Sequence, residues 1–503
     1  MLKVENLTIC FSDGETQQKV VSNVSFSIEK GEILGIVGES GSGKTMTALT
    51  IAGLLKRHAK VDEGTISFIK RDGKEEELLS LSEREMRKLQ GDEIGMIFQE
   101  PMTALNPTMR IGEQIEEALR LHTNLSKEER EQRVLKALED VELYDPVELR
   151  KKYPHELSGG MRQRVMIAAS IVCRPRLLIA DEPTTALDVN TQKSILQLLK
   201  KLNQKYRMGI LFISHNLRVV NMLCERVLVM KDGEIVETGK TETIFTNPKQ
   251  EYTKKLIAAL PKQLPGECET EDAEVPLNKR KTCEEHGNKV LELRHINAFY
   301  REGKVRRQVL KDVSFTLYEG EIVGLVGESG SGKSTLCKSI LGLVKEYDGE
   351  VTHYTKYPQM VFQDPYSSLN PKRTIGKILE EPLLIRKDGT KTSRRQQAEA
   401  MLEKVHLPRE IYGRYPKELS GGQRQRVSLA SALMTGSRFI LADEALSALD
   451  VTVQAQMIRL LKELQKEECL TYLFVSHDLD VVRMICDRIL VLEEGRVREV
   501  SYV

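Results

Sequence analysis

Gly38-Glu39-Ser40-Gly41-Ser42-Gly43-Lys44-Thr45 closes an apolar run, Ile33 to Val37, and the arrangement returns as Gly327 to Ser334 behind Ile322 to Val326. Glycines at this spacing let backbone N–H groups surround phosphate oxygens, and the following helix adds positive potential at its N-terminus. In such loops Lys44 and Lys333 reach terminal phosphates, while Thr45 and Ser334 offer hydroxyls to magnesium. Gly38, Ser40, Gly41 and Gly43, with Gly327, Ser329, Gly330 and Gly332, form the expected cradles; the competing reading is a plain glycine-rich turn. Downstream, Asp181-Glu182 and Asp443-Glu444 each close an apolar run. An aspartate at a strand end suits magnesium, and the glutamate beside it suits orienting and deprotonating a water. One strand further come Ser214-His215 and Ser476-His477, whose imidazoles could contact a γ-phosphate from the opposite side. One such histidine alone reads as structural, but its recurrence in both halves favours the chemical role.

Leu157-Ser158-Gly159-Gly160 and Leu419-Ser420-Gly421-Gly422 each open a helical pattern. That predicts a bare helix N-terminus with exposed amides, an anion site that no phosphate of its own half fills. With these runs the chain resembles the ATP-binding cassette (ABC) ATPases over both halves, essentially everything but the linker. The same motifs recur in the same order, including Ala186-Leu187-Asp188 and Ala448-Leu449-Asp450. The resemblance implies two RecA-like α/β domains with antiparallel and helical portions, binding ATP with Mg2+ and pairing head to tail. One site would join Lys44, Thr45, Gln99, Asp181, Glu182 and His215 to Ser420, Gly421 and Gly422. The other would join Lys333, Ser334, Gln363, Asp443, Glu444 and His477 to Ser158, Gly159 and Gly160. Thr45, Gln99 and Asp181, and likewise Ser334, Gln363 and Asp443, would serve magnesium. Phe11 and Tyr300 align with the aromatic that stacks on adenine, although either type is also common in cores. Ala445 stands where the first half has Pro183, and Asn216 where the second has Asp478.

Short apolar runs such as Leu177 to Ala180, Ile210 to Ile213, Phe439 to Ala442 and Tyr472 to Val475 read as strands buried on both faces. Between them lie helical stripes, for example Ile195, Leu198, Leu199 and Leu202, so the fold expected is α/β with crossover helices. Residues 109–152 read as helical without strands, with Ser126 and Glu129 as a capping box, and 375–414 as the counterpart. The first half holds 25 more residues than the second between phosphate loop and glutamine loop, around Arg71 to Gln90. Residues 1–261 and 289–503 are the expected domains, joined by a polar linker over 262–288 with Pro265, Gly266 and Pro276.

Lysine and arginine total 75 against 74 acidic residues, which gives no field to gather nucleic acid. No stretch approaches a membrane span, no signal peptide opens the chain, and the eight cysteines lack any Cys-x-x-Cys pair. A cytosolic location with reduced thiols is therefore expected. Cys268, Cys283 and His286 are too irregularly spaced to predict a metal site.

Phe98-Gln99-Glu100-Pro101 with Leu105-Asn106-Pro107, and Phe362-Gln363-Asp364-Pro365 with Leu369-Asn370-Pro371, resemble the dipeptide, oligopeptide and nickel importers within the ABC family. Asn247-Pro248 through Tyr252-Thr253-Lys254-Lys255-Leu256 and Pro261 resembles the tail of those importers, and no second tail follows the other half. The chain thus resembles a fusion of their paired ATPase subunits. That implies two transmembrane permease subunits, an extracytoplasmic solute-binding protein and a peripheral place on the cytoplasmic face of the membrane. Peptide is the expected solute and nickel the alternative. A soluble twin-cassette protein acting on ribosomes or nucleic acid is the rival class, disfavoured by the near-neutral charge.

Overall fold

The computed structural model describes residues 1–12, 17–55, 58–99, 104–184, 187–258, 287–302, 305–328, 330–344, 346–362, 368–446, 449–476 and 478–500. The chain divides into two compact units, Met1–Leu260 and Pro261–Val503.

In the first unit β1 (Leu2–Ser12), β2 (Gln17–Ile28), β4 (Ala59–Ile69) and β5 (Glu75–Glu77) form an antiparallel sheet in the order β2-β1-β4-β5. A second sheet runs β10-β9-β3-β8-β7-β6, from β3 (Ile33–Val37), β6 (Ile94–Ile97), β7 (Leu177–Asp181), β8 (Gly209–Ser214), β9 (Arg226–Lys231) and β10 (Glu234–Lys240). β3, β7 and β8 are buried along their whole length, as continuous apolar runs require when both faces are covered. One face packs on helices and the other on the antiparallel sheet.

Register decides what meets at the strand ends. Val37 lies opposite Ser214, and Asp181 opposite Ile213, so the loops after β3, β7 and β8 emerge side by side. The carboxyl end of a parallel sheet is where such folds place ligands. β10 instead runs antiparallel to β9, through a hairpin in which Asp232 and Gly233 both hold positive φ (49° and 86°). Two such residues set a tight hairpin turn.

The helical segment appears as Ile111–His122 and Lys127–Asp140, and the expected capping box forms. The Glu129 amide donates to Ser126 Oγ at 3.2 Å, and the Ser126 amide to Glu129 Oε2 at 2.7 Å. The extra residues of this half become β5, a 3-10 turn (Leu78–Ser80) and a helix Glu83–Leu89 that buries Met86 and Leu89. Past β10 the chain adds helices Thr241–Thr246 and Glu251–Ala258.

The second unit repeats the plan. β11 (Lys289–Glu302), β12 (Val305–Tyr318) and β14 (Tyr347–His353) form a sheet ordered β12-β11-β14. β13 (Ile322–Val326), β15 (Gln359–Val361), β16 (Phe439–Asp443), β17 (Thr471–Val475), β18 (Arg488–Glu493) and β19 (Arg496–Val500) follow the order β15-β16-β17-β13-β18-β19. Its helical segment contains Ile375–Ile385 and Lys391–Lys404. Among the described residues no helix is long and apolar enough to cross a membrane. The described cysteines are free thiols, all buried except Cys469. The linker cysteines, His286, Ala186 and Ala448 lie outside the described residues.

Candidate ATP-hydrolysing sites

The loop after β3 is built around close approach. A Cβ on Gly38 would lie 2.2 Å from the Met230 carbonyl oxygen, and Gly41 and Gly43 hold φ of 85° and 96°. Only glycine takes all three roles without strain. Lys44 opens the next helix and is 5% exposed. Its ammonium donates to the carbonyls of Gly38 (2.7 Å) and Glu39 (2.8 Å) and lies 3.4 Å from Ser42 Oγ. A buried cation bonded inward keeps its charge at the loop centre instead of in solvent. Ser40 is exposed at the loop tip.

Thr45 Oγ1 donates to Asp181 Oδ1 at 3.2 Å. Burial, then the neighbouring Glu182, push the Asp181 carboxyl up to about 6, while Thr45 and Lys44 pull it back. Hydroxyl and carboxylate oxygens together are the hard donors that magnesium prefers, so this pair fits that ion.

Glu182 leaves β7 at φ 48°, with its amide bonded to the Ile213 carbonyl at 2.9 Å. A left-handed non-glycine residue costs on the order of 1–3 kcal/mol, a strain concentrated at functional positions. The carboxylate is held at both oxygens: Gln99 Nε2 donates to Oε2 at 3.0 Å, and His215 Nδ1 lies 3.0 Å from Oε1. The structure thus gathers Lys44, Thr45, Gln99, Asp181, Glu182 and His215 from four separate segments.

The second unit reproduces this where it is described. A Cβ on Gly327 would meet the Leu492 carbonyl at 2.3 Å, and Gly330 and Gly332 hold φ of 84° and 109°. Lys333 Nζ donates to the carbonyls of Gly327 (2.7 Å) and Glu328 (2.9 Å). Ser334 hydrogen-bonds Asp443, whose carboxyl is raised by burial first and Glu444 second. Glu444 also holds φ 48°, its amide bonded to Val475 O at 3.0 Å. Ser329, Gln363 and His477 lie outside the described residues.

The Ser-Gly-Gly helices differ from expectation in one respect: their N-termini are not bare. Ser158 Oγ accepts from the Met161 amide at 3.4 Å, and Ser420 Oγ from the Gln423 amide at 3.3 Å. A serine at this position caps its own helix. The two glycines then divide their roles. A Cβ on Gly160 would strike Thr191 at 2.8 Å and one on Gly422 would strike Val453 at 2.4 Å, whereas Gly159 and Gly421 face open space. Sequence reasoning missed what anchors these helices: Arg162 Nε bonds Pro154 O (2.7 Å) and Arg424 Nε bonds Pro416 O (2.9 Å). The doubled Tyr-Pro-x-Glu before each signature was the available signal. It also missed Ser42, 4% exposed beside Lys44.

Asn216 and Asp478 do the same work despite their difference, each capping the following helix, with bonds at 3.0 Å to Arg218 N and 2.9 Å to Asp480 N. Ala445 is buried at 6% in the place of Pro183. Phe11 is half-buried near the end of β1, and Tyr300 is 42% exposed on β11.

Two α/β units with phosphate loops, acidic strand ends and Ser-Gly-Gly helices define an ATPase of the cassette type. A family model described as ABC transporter matches residues 21–185 and 310–447, and the chain belongs to that family as an ATP-binding, ATP-hydrolysing member. It is 43% identical over 537 residues to the glutathione import ATP-binding protein GsiA of Escherichia coli O6:H1 strain CFT073. A protein of the same name from Salmonella choleraesuis strain SC-B67 is 42% identical over 535 residues. Both comparisons span 100% of this chain and 86% of the relative. A solved structure described as RNase-L Inhibitor matches with a TM-score of 0.62 over 99% of this chain and 90% of its own, at 19% identity, a likeness of fold alone.

Proposed function

We propose that the chain energises uptake of a small peptide-type solute, glutathione or a close analogue, through a separate membrane permease. The observation that carries this reading is 42–43% identity along the whole chain to proteins named for glutathione import. Residues 1–261 and 289–503 are the two ATP-binding domains, joined by 262–288. Two transmembrane permease subunits and an extracytoplasmic solute-binding protein complete the assembly, and the chain sits at the cytoplasmic face of the membrane.

Thr45, Asp181 and Gln99 would hold magnesium in one site, and Ser334, Asp443 and Gln363 in the other. Bound there, the ion offsets charge on the phosphate oxygens. Glu182 and Glu444 accept the proton of the attacking water, and His215 and His477 face the γ-phosphate. Once Gln99 releases Glu182, the freed oxygen has a lone pair for that proton. Phe11 and Tyr300 stack on adenine.

Each triphosphate is closed by the signature of the other domain, Ser420-Gly421-Gly422 or Ser158-Gly159-Gly160. Support comes from Gly159 and Gly421, which no described residue of their own unit requires to be glycine. A group approaching from outside explains the absent side chain. The test is reconstitution with its permease in vesicles: ATP-dependent glutathione uptake is expected, and uptake of nickel but not peptide would overturn the solute assignment.

A further inference from the structure

The helix Glu251–Ala258 lies more than two hundred residues along the chain from the phosphate loop, yet it touches it. The Glu39 amide donates to the Tyr252 hydroxyl at 3.2 Å. We infer that Tyr252 is a positioning residue for the first phosphate loop, through which the segment after β10 sets nucleotide affinity at that site.

Three observations fix the segment independently of the loop. The Glu237 carboxylate on β10 accepts the amides of Lys249 (2.8 Å) and Gln250 (3.2 Å). Ile244 and Leu256 are buried in the helical-side core, with the Tyr252 ring packed against it. Lys231 Nζ, at the end of β9, lies 5.3 Å from the centre of that ring. The phenol oxygen is thus held from behind by a core contact and a cation, with its acceptor face toward Glu39.

On the loop side, Glu39 is the residue between Gly38, whose position is set by contact with Met230, and the exposed Ser40. Its carbonyl is also one of the two that hold the Lys44 ammonium. A peptide whose carbonyl orients the lysine and whose neighbouring amide is bonded to Tyr252 has little freedom to rotate. Removing the phenol oxygen lets it turn, and the lysine and glycine amides lose part of their preset arrangement for phosphate. Preorganisation of this kind appears in binding affinity more than in the chemical step.

The inference rests on reading Gly38 to Thr45 as a nucleotide site, and one set of variants separates the two claims. In a Lys333→Ala background only the first site binds, and adding Tyr252→Phe, which keeps the ring, should weaken ADP binding about 3- to 10-fold, the span of one neutral hydrogen bond. KM for ATP should rise with little change in kcat. In a Lys44→Ala background, which leaves the second site, Tyr252→Phe should change ADP affinity less than twofold. Equal ADP affinity with and without the phenol oxygen in the first background overturns the inference, as does an equal loss at both sites. ADP binding that survives in Lys44→Ala/Lys333→Ala overturns the underlying site reading instead. Melting temperature without nucleotide should fall by no more than about 4 °C for Tyr252→Phe, the scale of one lost hydrogen bond.

Discussion

Glu182 is the residue on which the proposed chemistry of the first site turns, pinned by Gln99 and His215 and held in a left-handed backbone. Glu444 shares that backbone. Each of Glu182→Gln and Glu444→Gln should lose at least half of the ATPase rate, and the double variant about 10²- to 10⁴-fold, the usual worth of a general base. A single variant at the full wild-type rate would contradict two competent sites. Asp181 makes a separate prediction. Its carboxyl is lifted from 3.8 to about 6, so the folded state holds that proton more tightly than the unfolded chain. Its contribution to stability is present below pH about 4 and is lost as pH rises through about 6. In buffer without nucleotide or magnesium, Asp181→Asn should therefore stabilise the protein by about 1–3 kcal/mol at pH 8 and hardly at pH 4. Urea titrations at the two pH values measure this, and equal gains at both would refute it.

Among the elements, caps carry the predictions. Ser126→Ala removes an oxygen that satisfies a first-turn amide, so it should cost about 1 kcal/mol of stability while leaving ATP hydrolysis unchanged. Asn216→Asp replaces one capping acceptor by another and should alter stability by less than about 0.5 kcal/mol. The elements also show where sequence patterning was sufficient. The Ser126–Glu129 box, the apolar strands and the helical segments were legible because each depends on neighbours within a few residues. The hairpins ending both main sheets were not drawn from those patterns. They follow from Asp232-Gly233 and Glu494-Gly495, whose positive φ values turn the chain back on itself.

At the scale of the whole molecule, the proposed reciprocity makes a crossed prediction. Gly421 and Gly159 have room for a side chain within their own units, so Gly421→Asp and Gly159→Asp should fold yet repel a phosphate. Lys44→Ala with Gly421→Asp damages one site twice and should match Lys44→Ala alone in residual hydrolysis and trapped nucleotide. Lys44→Ala with Gly159→Asp damages both sites and should abolish both readouts. Coupling of this pattern is what shared sites produce and independent sites do not. Equal loss in the two double variants would refute the exchange.

Motif residues and their order in the chain, together with their repetition, established the family, the two-unit plan and the candidate chemical groups, because phosphate loops and strand-end carboxylates are local constructions. Tertiary structure decided which groups meet. Gln99 and His215 reach Glu182 only because β6, β7 and β8 are adjacent in the sheet, and Tyr252 reaches Glu39 only because the helices after β10 fold back toward the phosphate loop. Contacts between distant segments depend on strand order and packing, which no short stretch of residues encodes by itself.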